Sequence, residues 1–413
     1  MFRNYLLTAY KVFMRRKLFT AINLLCIVLT LVVLMVVTAL LDTAFFPSGV
    51  EGKSHRFLQI MAMKSVSPKG DAIRTAPLGY GLIEKHLKPL TSVERVGAVT
   101  TPAPVSVYQD GRVSELQMRR ADADYWKILD FTLLSGRFPT AEDEQQGRFV
   151  AVLNQTSAAR LFAATPAVGQ SVSVSGQRLQ VIGVVADEMH MNAYADIWAP
   201  VTTFPSTQYR HQMSGNFVAL LLARRSADLP QIQRDVASIA SRVQFEDPKA
   251  WSRATFWADS KLDATARMLL GTINEEDSGA RQLLAIIVAL MIAFMLLPAL
   301  NLVNLNTARV FERSAEIGVR KAFGATSMQV VGQLIVENVL LCMAGGVLGL
   351  IGAQLALLWL ENMQLIPYLK VGVNFAVMGY GFLITLVFGL VSGVLPAWKM
   401  SRLDPVHALK GAI

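Results

Sequence analysis

The stretch RRKLFTAINLLCIVLTLVVLMVVTALLD, residues 15–42, decides how the rest of the chain is read. No charge interrupts it between Lys17 and Asp42. As a helix rising about 1.5 Å per residue, it crosses about 30 Å of hydrocarbon with residues to spare. Arg15, Arg16 and Lys17 stand directly before it, which holds the N-terminal side in the cytoplasm. A cleaved signal peptide would have an apolar run roughly half as long and a small-residue cleavage site. The stretch therefore reads as an uncleaved anchor, a first span over residues 18–46.

Three further apolar runs crowd the C-terminal third. The second span is expected over 282–308, between Arg281 and Arg309; the third over 337–361; the fourth over 371–398, between Lys370 and Lys399. Arg309, Arg313, Arg320 and Lys321 lie in the loop after the second span, and Lys399, Arg402 and Lys410 in the C-terminal segment 399–413. Charge bias and the even number of spans agree on one topology, with both termini cytoplasmic and residues 47–280 outside. The fold class expected is a membrane α-helical protein of four transmembrane helices. An α/β (α+β) extracytoplasmic domain of two subdomains is inserted between the first and second.

The spans are expected to hold no Asp, Glu, Lys or Arg in their interiors, which argues against a proton- or sodium-coupled secondary transporter. Gly345 and Gly349 in the third span, and Gly389 and Gly393 in the fourth, have the four-residue spacing that lets helix backbones approach closely. Pro298, Asn301, Asn304 and Asn306 in the second span read either as a pathway or as glue between helices.

Composition fits this division. Hydrophobic residues make up 53% and charged residues 17%, yet the middle half reads as ordinary globular sequence. The net charge of +9 comes from basic residues gathered beside the apolar runs, so nucleic acid is not an expected partner. Cys26 and Cys342 both sit in apolar runs and read as small packing residues.

Within 47–280 the pattern is mixed. Strands are expected at 57–63, 93–100, 149–153, 169–176, 179–185, 216–225 and 254–258. Helices are expected at 79–86, 124–129, 156–162 and 228–243, the last capped by Asp228 with Pro230 in its first turn. Residues 134–138 read as a turn closed by Pro139. Strand–helix–strand units at both ends suggest a split layer (about 50–118 and 200–275) with a second subdomain (about 119–199) inserted. Asp187, Glu188 and His190 come nearest to a ligand cluster but read as a loop, and no catalytic or metal-binding spacing appears.

The loop between the second and third spans, 309–330, holds Glu312-Arg-Ser-Ala-Glu-Ile-Gly-Val-Arg-Lys-Ala-Phe-Gly-Ala325. A helix there presents Glu312, Arg313, Glu316 and Arg320 at spacings of three and four, with Ile317, Val319 and Phe323 to bury. Physics alone leaves two readings, a helix docked on a partner or one resting on lipid headgroups.

With this ExxxEIGVRKAxGA segment, two more blocks carry a resemblance. One is Pro396-Ala-Trp-Lys399 with Arg402-Leu-Asp-Pro-Val-His-Ala-Leu-Lys410. The other joins Leu134-Ser-Gly-Arg-Phe138, Val150-Ala-Val-Leu-Asn154, Gly169-Gln170 and Val181-Ile-Gly-Val-Val-Ala-Asp187. Together they make the chain similar to the MacB/FtsX, mechanotransmission (type VII) permease family of ABC transporters. The resemblance implies that Glu312, Arg313, Glu316, Ile317, Gly318, Arg320, Lys321, Gly324 and Ala325 form a coupling helix docking on an ABC ATPase subunit, present in two copies. It implies pairing with a second permease copy or paralogue, a periplasmic core domain of "porter" and "sabre" parts, and residues 1–17 as an amphipathic segment on the inner face of a bacterial inner membrane. The 413 residues hold no Walker A loop, so ATP and Mg are expected on the partner chain, with no cofactor, metal or catalytic residue here. The function implied is export of a drug, peptide or similar client, with a periplasmic adaptor and outer-membrane channel as further partners. Lipoprotein extraction and regulation of a cell-wall hydrolase are the alternatives.

Overall fold

The structure, a computed structural model, describes residues 13–15, 17–45, 49–109, 111–162, 165–312 and 326–363, with a few helical residues between 379 and 390. The coupling residues Arg313, Glu316, Ile317, Gly318, Arg320, Lys321, Gly324 and Ala325 lie outside the described residues. So do residues 1–12, Gly389, Gly393 and the C-terminal segment. The chain forms two compact units. Met1–Asp42 with Leu284–Leu365 make the bulk of one, and Thr43–Leu283 the bulk of the other.

The chain starts into the first unit with α1 (Lys17–Phe45). The second unit is α/β. Strands β1 (Phe57–Ile60), β2 (Met63–Val66) and β3 (Ile73–Ala76) lead to α2 (Tyr80–Leu82), which runs on into a π turn, Ile83–Leu87. Then come β4 (Arg95–Thr100), β5 (Ala103–Gln109), β6 (Arg112–Ala121), α3 (Tyr125–Ile128), β7 (Leu133–Gly136), α4 (Ala141–Gln145), β8 (Val150–Asn154) and α5 (Gln155–Leu161). The unit finishes with β9 (Ser171–Val174), β10 (Gln177–Val185), β11 (Ile197–Pro200), β12 (Phe217–Leu222), α6 (Leu229–Ala240), β13 (Arg253–Thr255) and α7 (Lys261–Leu270).

One large sheet joins both ends of this unit to its middle. Its order is β1-β12-β4-β6-β11-β8-β10-β9-β5, and β5 also pairs β6. The strands β6, β11, β8, β10, β9 and β5 thereby close into a ring around Val107, Leu116, Leu153, Val172, Leu179 and Val181. Every residue of β12 is buried, because both faces of the strand are covered. Phe217, Ala219 and Leu221 enter one apolar cluster with α6, while Val218, Leu220 and Leu222 enter another with Tyr125, Trp126 and Trp198. A smaller sheet, β13-β2-β3, completes the unit.

Two local expectations need correction, while Asp187, Glu188 and His190 lie in a loop as expected. Residues 133–136 are a strand, β7, paired antiparallel with β10, and not a turn. Asp228 does not cap α6 through its side chain, because that carboxylate is held by the backbone N–H and guanidinium of Arg225. Asp187 is used by the start of α5, accepting from the N–H and hydroxyl of Thr156 at 3.0 and 2.9 Å.

Back in the first unit, α8 covers Ala280–Glu312 and α9 covers Ser327–Asn362. Among the described residues, Thr20–Asp42 and Ile335–Asn362 are long and apolar enough to cross a membrane, and Ala280–Phe294 is a shorter apolar stretch. Thr326 starts α9 through a capping box with Gln329, so this helix begins ten residues before Glu337. Glu337 therefore does not start the helix. It lies inside α9, buried, and accepts from Gln333 at 3.0 Å. A helix of 36 residues is longer than about 30 Å of hydrocarbon requires, so α9 extends beyond the apolar run that the sequence marks as the third span.

Candidate functional site

Glu312, the first of the expected coupling residues, is the last residue of α8. The segment that follows is thus bracketed by the end of one long helix and the capped start of another.

In the helical unit, α9 turns a row of glycines toward α1. A Cβ on Gly345 would stand 2.6 Å from Cγ2 of Ile27, one on Gly349 2.8 Å from Cβ of Leu31, and one on Gly352 2.9 Å from Cγ2 of Val32. Side chains that enter the space left by glycine gain dispersion contacts, the chief source of helix association in lipid. Gly346 faces elsewhere: a Cβ there would stand 2.9 Å from the ring of Phe382. Successive matches of Ile27 with Gly345 and Leu31 with Gly349 step four residues on both helices, so α1 and α9 run parallel. That register sets Asn23 level with Leu341. Asn23 is fully buried, and among the described residues neither atom of its amide has a hydrogen-bond partner.

In the α/β unit, the segments that follow α1 and precede α8 are fastened together. Glu51 is fully buried six residues beyond Phe45, and its Oε2 lies 2.7 Å from Nζ of Lys261, the first residue of α7. Its Oε1 accepts from the amide Nδ2 of Asn192 at 3.0 Å and from the backbone N of Asn192 at 3.3 Å. The hydroxyl of Tyr125 donates to the carbonyl of Asn192 at 2.8 Å, and Arg119 donates to the carbonyls of Met191, Tyr194 and Thr100. Burial pulls the Arg119 guanidinium below its usual value, with Tyr125 and Glu51 opposing.

A second fastening lies beside it. Gln59 of β1 and Asp259 exchange backbone hydrogen bonds at 2.8 and 2.9 Å. The Asp259 carboxylate takes the Nε of Arg267 at 2.9 Å, and Arg267 stacks on Trp257 at 4.5 Å. Burial pushes Asp259 up to about 6 even with Arg267 beside it. Trp257, Asp259 and Arg267 line a cavity of about 260 Å³ with Gln233, Asp263 and Glu276. Among the described residues no cluster of His, Cys, Asp or Glu is placed to hold a metal ion.

Sequence reasoning passed over Glu51 and Lys261, since two charges so far apart in sequence carry no spacing signal. The capping box at Ser260 and Asp263 was the readable sign that Lys261 opens a helix.

The comparisons with known proteins agree with this layout. The model of the MacB-like periplasmic core domain matches residues 20–239, and that of the FtsX-like permease C-terminal matches residues 288–405. The macrolide export ATP-binding/permease protein MacB of Bdellovibrio bacteriovorus is 27% identical over 69% of this chain and 42% of its own length. The chain thus spans about two fifths of that relative. The uncharacterized ABC transporter permease YknZ of Bacillus subtilis is 25% identical over 79% of this chain and 77% of its own. Among solved structures, the extracellular domain of YknZ from Gram-positive bacteria aligns with 48% of this chain and 98% of its own at 14% identity and a TM-score of 0.38. The periplasmic region of MacB from Actinobacillus actinomycetemcomitans aligns with 53% and 95%, at 12% identity and a TM-score of 0.37. One family model covers more than half of the chain, and the second follows it in order: this protein belongs to the MacB/FtsX family of ABC transporter permeases.

Proposed function

We propose that this permease couples ATP hydrolysis on a separate ABC ATPase subunit to movement of its periplasmic core domain, and that the movement exports a client from the periplasm or the membrane. The observation that carries the reading is the position of Glu312–Ala325. It lies within the FtsX-like region, running from the last residue of α8 to the capped start of α9. In this reading Glu316, Arg320 and their neighbours dock on the ATPase, and two permease copies work with two ATPase copies. The Glu51–Lys261 pair supports the outward half of the scheme. A displacement carried by α1 or α8 reaches segments that are bonded to each other and to Asn192, so they move as one piece. The name of the MacB relatives makes a macrolide-like small molecule the first client to assay.

Purifying the tagged chain in mild detergent and identifying its companions by mass spectrometry tests the proposal. An ATPase chain is expected, and a periplasmic adaptor with it would favour export. A cell-wall hydrolase in place of the adaptor would favour the regulatory alternative. Nucleotide hydrolysis by the permease alone would overturn the proposal.

A further inference from the structure

The end of α7 and the loop after it expose apolar side chains close to the start of α8, whose first residues, Ala280–Phe294, form an apolar stretch. The inner face of α7 buries Lys261, Ala264, Ala266 and Arg267. Its last turn leaves Met268 56% and Leu269 66% exposed, and Ile273 beyond it is 37% exposed.

This patch is held rigidly. Gly271 ends α7 in the left-handed conformation at φ 72°, which turns the chain back. Arg267 then gathers the loop, donating to the carbonyls of Thr272 at 3.0 Å, Glu275 at 2.6 Å and Glu276 at 3.2 Å. Thr272 donates to the carbonyl of Ser278 at 2.7 Å, and Ser278 donates to Asp263 at 2.6 Å. Gly279 closes the loop so tightly that a Cβ there would lie 2.8 Å from Cδ1 of Leu270. The next residue, Ala280, starts α8, whose uncharged run begins just after Arg281. Met268, Leu269 and Ile273 are thus fixed beside the residue that opens α8.

We propose that Met268, Leu269 and Ile273 form a lip that rests in the headgroup–acyl boundary of the membrane leaflet facing the periplasmic domain. The occupant follows from continuity with α8 and from size. Three side chains fall far short of the roughly 20–30 residues a side that a specific protein interface uses, whereas lipid demands no complementary shape. The carboxylates of Glu275, Glu276 and Asp277 leave no local excess of positive charge, so the contact is apolar and not selective for anionic lipid. The lip would fix the height of α7, and with it Lys261 and Glu51, above the bilayer.

Spin labels at Met268→Cys and Leu269→Cys, in full-length chain carrying Cys26→Ser and Cys342→Ala, test the lip. The chain is placed in nanodiscs of phosphatidylethanolamine and phosphatidylglycerol. A label at Arg112→Cys, on the hairpin between β5 and β6, serves as the aqueous reference. The expected result is a severalfold higher ratio of oxygen to water-soluble nickel collisions at 268 and 269 than at 112. Nickel access equal to the reference would overturn the proposal, since the patch would then sit in water. Dipolar broadening between labels on two copies, with nickel excluded, would also overturn it in favour of a permease–permease contact.

Discussion

Gly136 and Gly183 face each other across β7 and β10, and each explains a motif that physics alone left opaque in the sequence. A Cβ on Gly136, held at φ 77°, would meet the carbonyl oxygen of Ile182 at 2.1 Å, and one on Gly183 that of Arg137 at 2.4 Å. Gly136→Ala should cost about 2 kcal/mol or more in denaturant unfolding, through both strain and collision. In the same block Arg137 forms two hydrogen bonds with the buried Asp143, at 2.6 and 3.0 Å, and holds that carboxyl well below the usual range. Asn154 caps α5 by accepting from Ser157 at 2.8 Å. The motif residues thus build the scaffold, a role that spacing could not reveal. Glu144 shows the opposite strain. Burial, with Asp122 and Asp124 nearby and Lys88 only partly offsetting them, pushes it from 4.5 to about 7. Its folded-state value lies above the ordinary one. Its contribution to stability is therefore full below about pH 4.5 and is lost as pH rises through about 7. Glu144→Gln should melt at a higher temperature than the native chain at pH 8, and the two should converge at pH 5.

Among the elements, those with a clear period were legible. The helix expected at 228–243 appears as α6, ending three residues earlier, and the strands expected at 149–153 and 179–185 appear as β8 and β10 within two residues. The β5–β6 hairpin was missed although the sequence offers Asp110-Gly111 between two alternating runs, a strong two-residue hairpin signal. The closed ring could not be read, because pairing of β5 with β9 is a long-range choice that leaves no local pattern. The α1–α9 contact belongs to this scale. Gly349→Leu should push the helices apart and lower the melting temperature in detergent, and Leu31→Ala in the same chain should restore part of the loss. Failure of that rescue would show that Gly349 and Leu31 do not share a contact.

For the whole molecule, order along the chain was legible and the internal linkage was not. Spans, loop charges and motif blocks pointed to an ABC permease, yet the pair that ties Glu51, after α1, to Lys261, before α8, appears only in the fold. Lys261→Met leaves Glu51 buried without its counter-charge and should destabilise the chain by about 3–5 kcal/mol. Adding Glu51→Gln should recover part of that loss, which equilibrium unfolding of the single and double variants would measure. The central claim is that energy enters at the cytoplasmic segment and emerges in the periplasmic domain. Hydrogen–deuterium exchange of residues 49–279 in the purified permease–ATPase complex, with and without ATP, tests it most directly. The account predicts a nucleotide-dependent change in exchange that vanishes in Glu316→Ala/Arg320→Ala while the complex stays assembled. The same change persisting in that variant would contradict it.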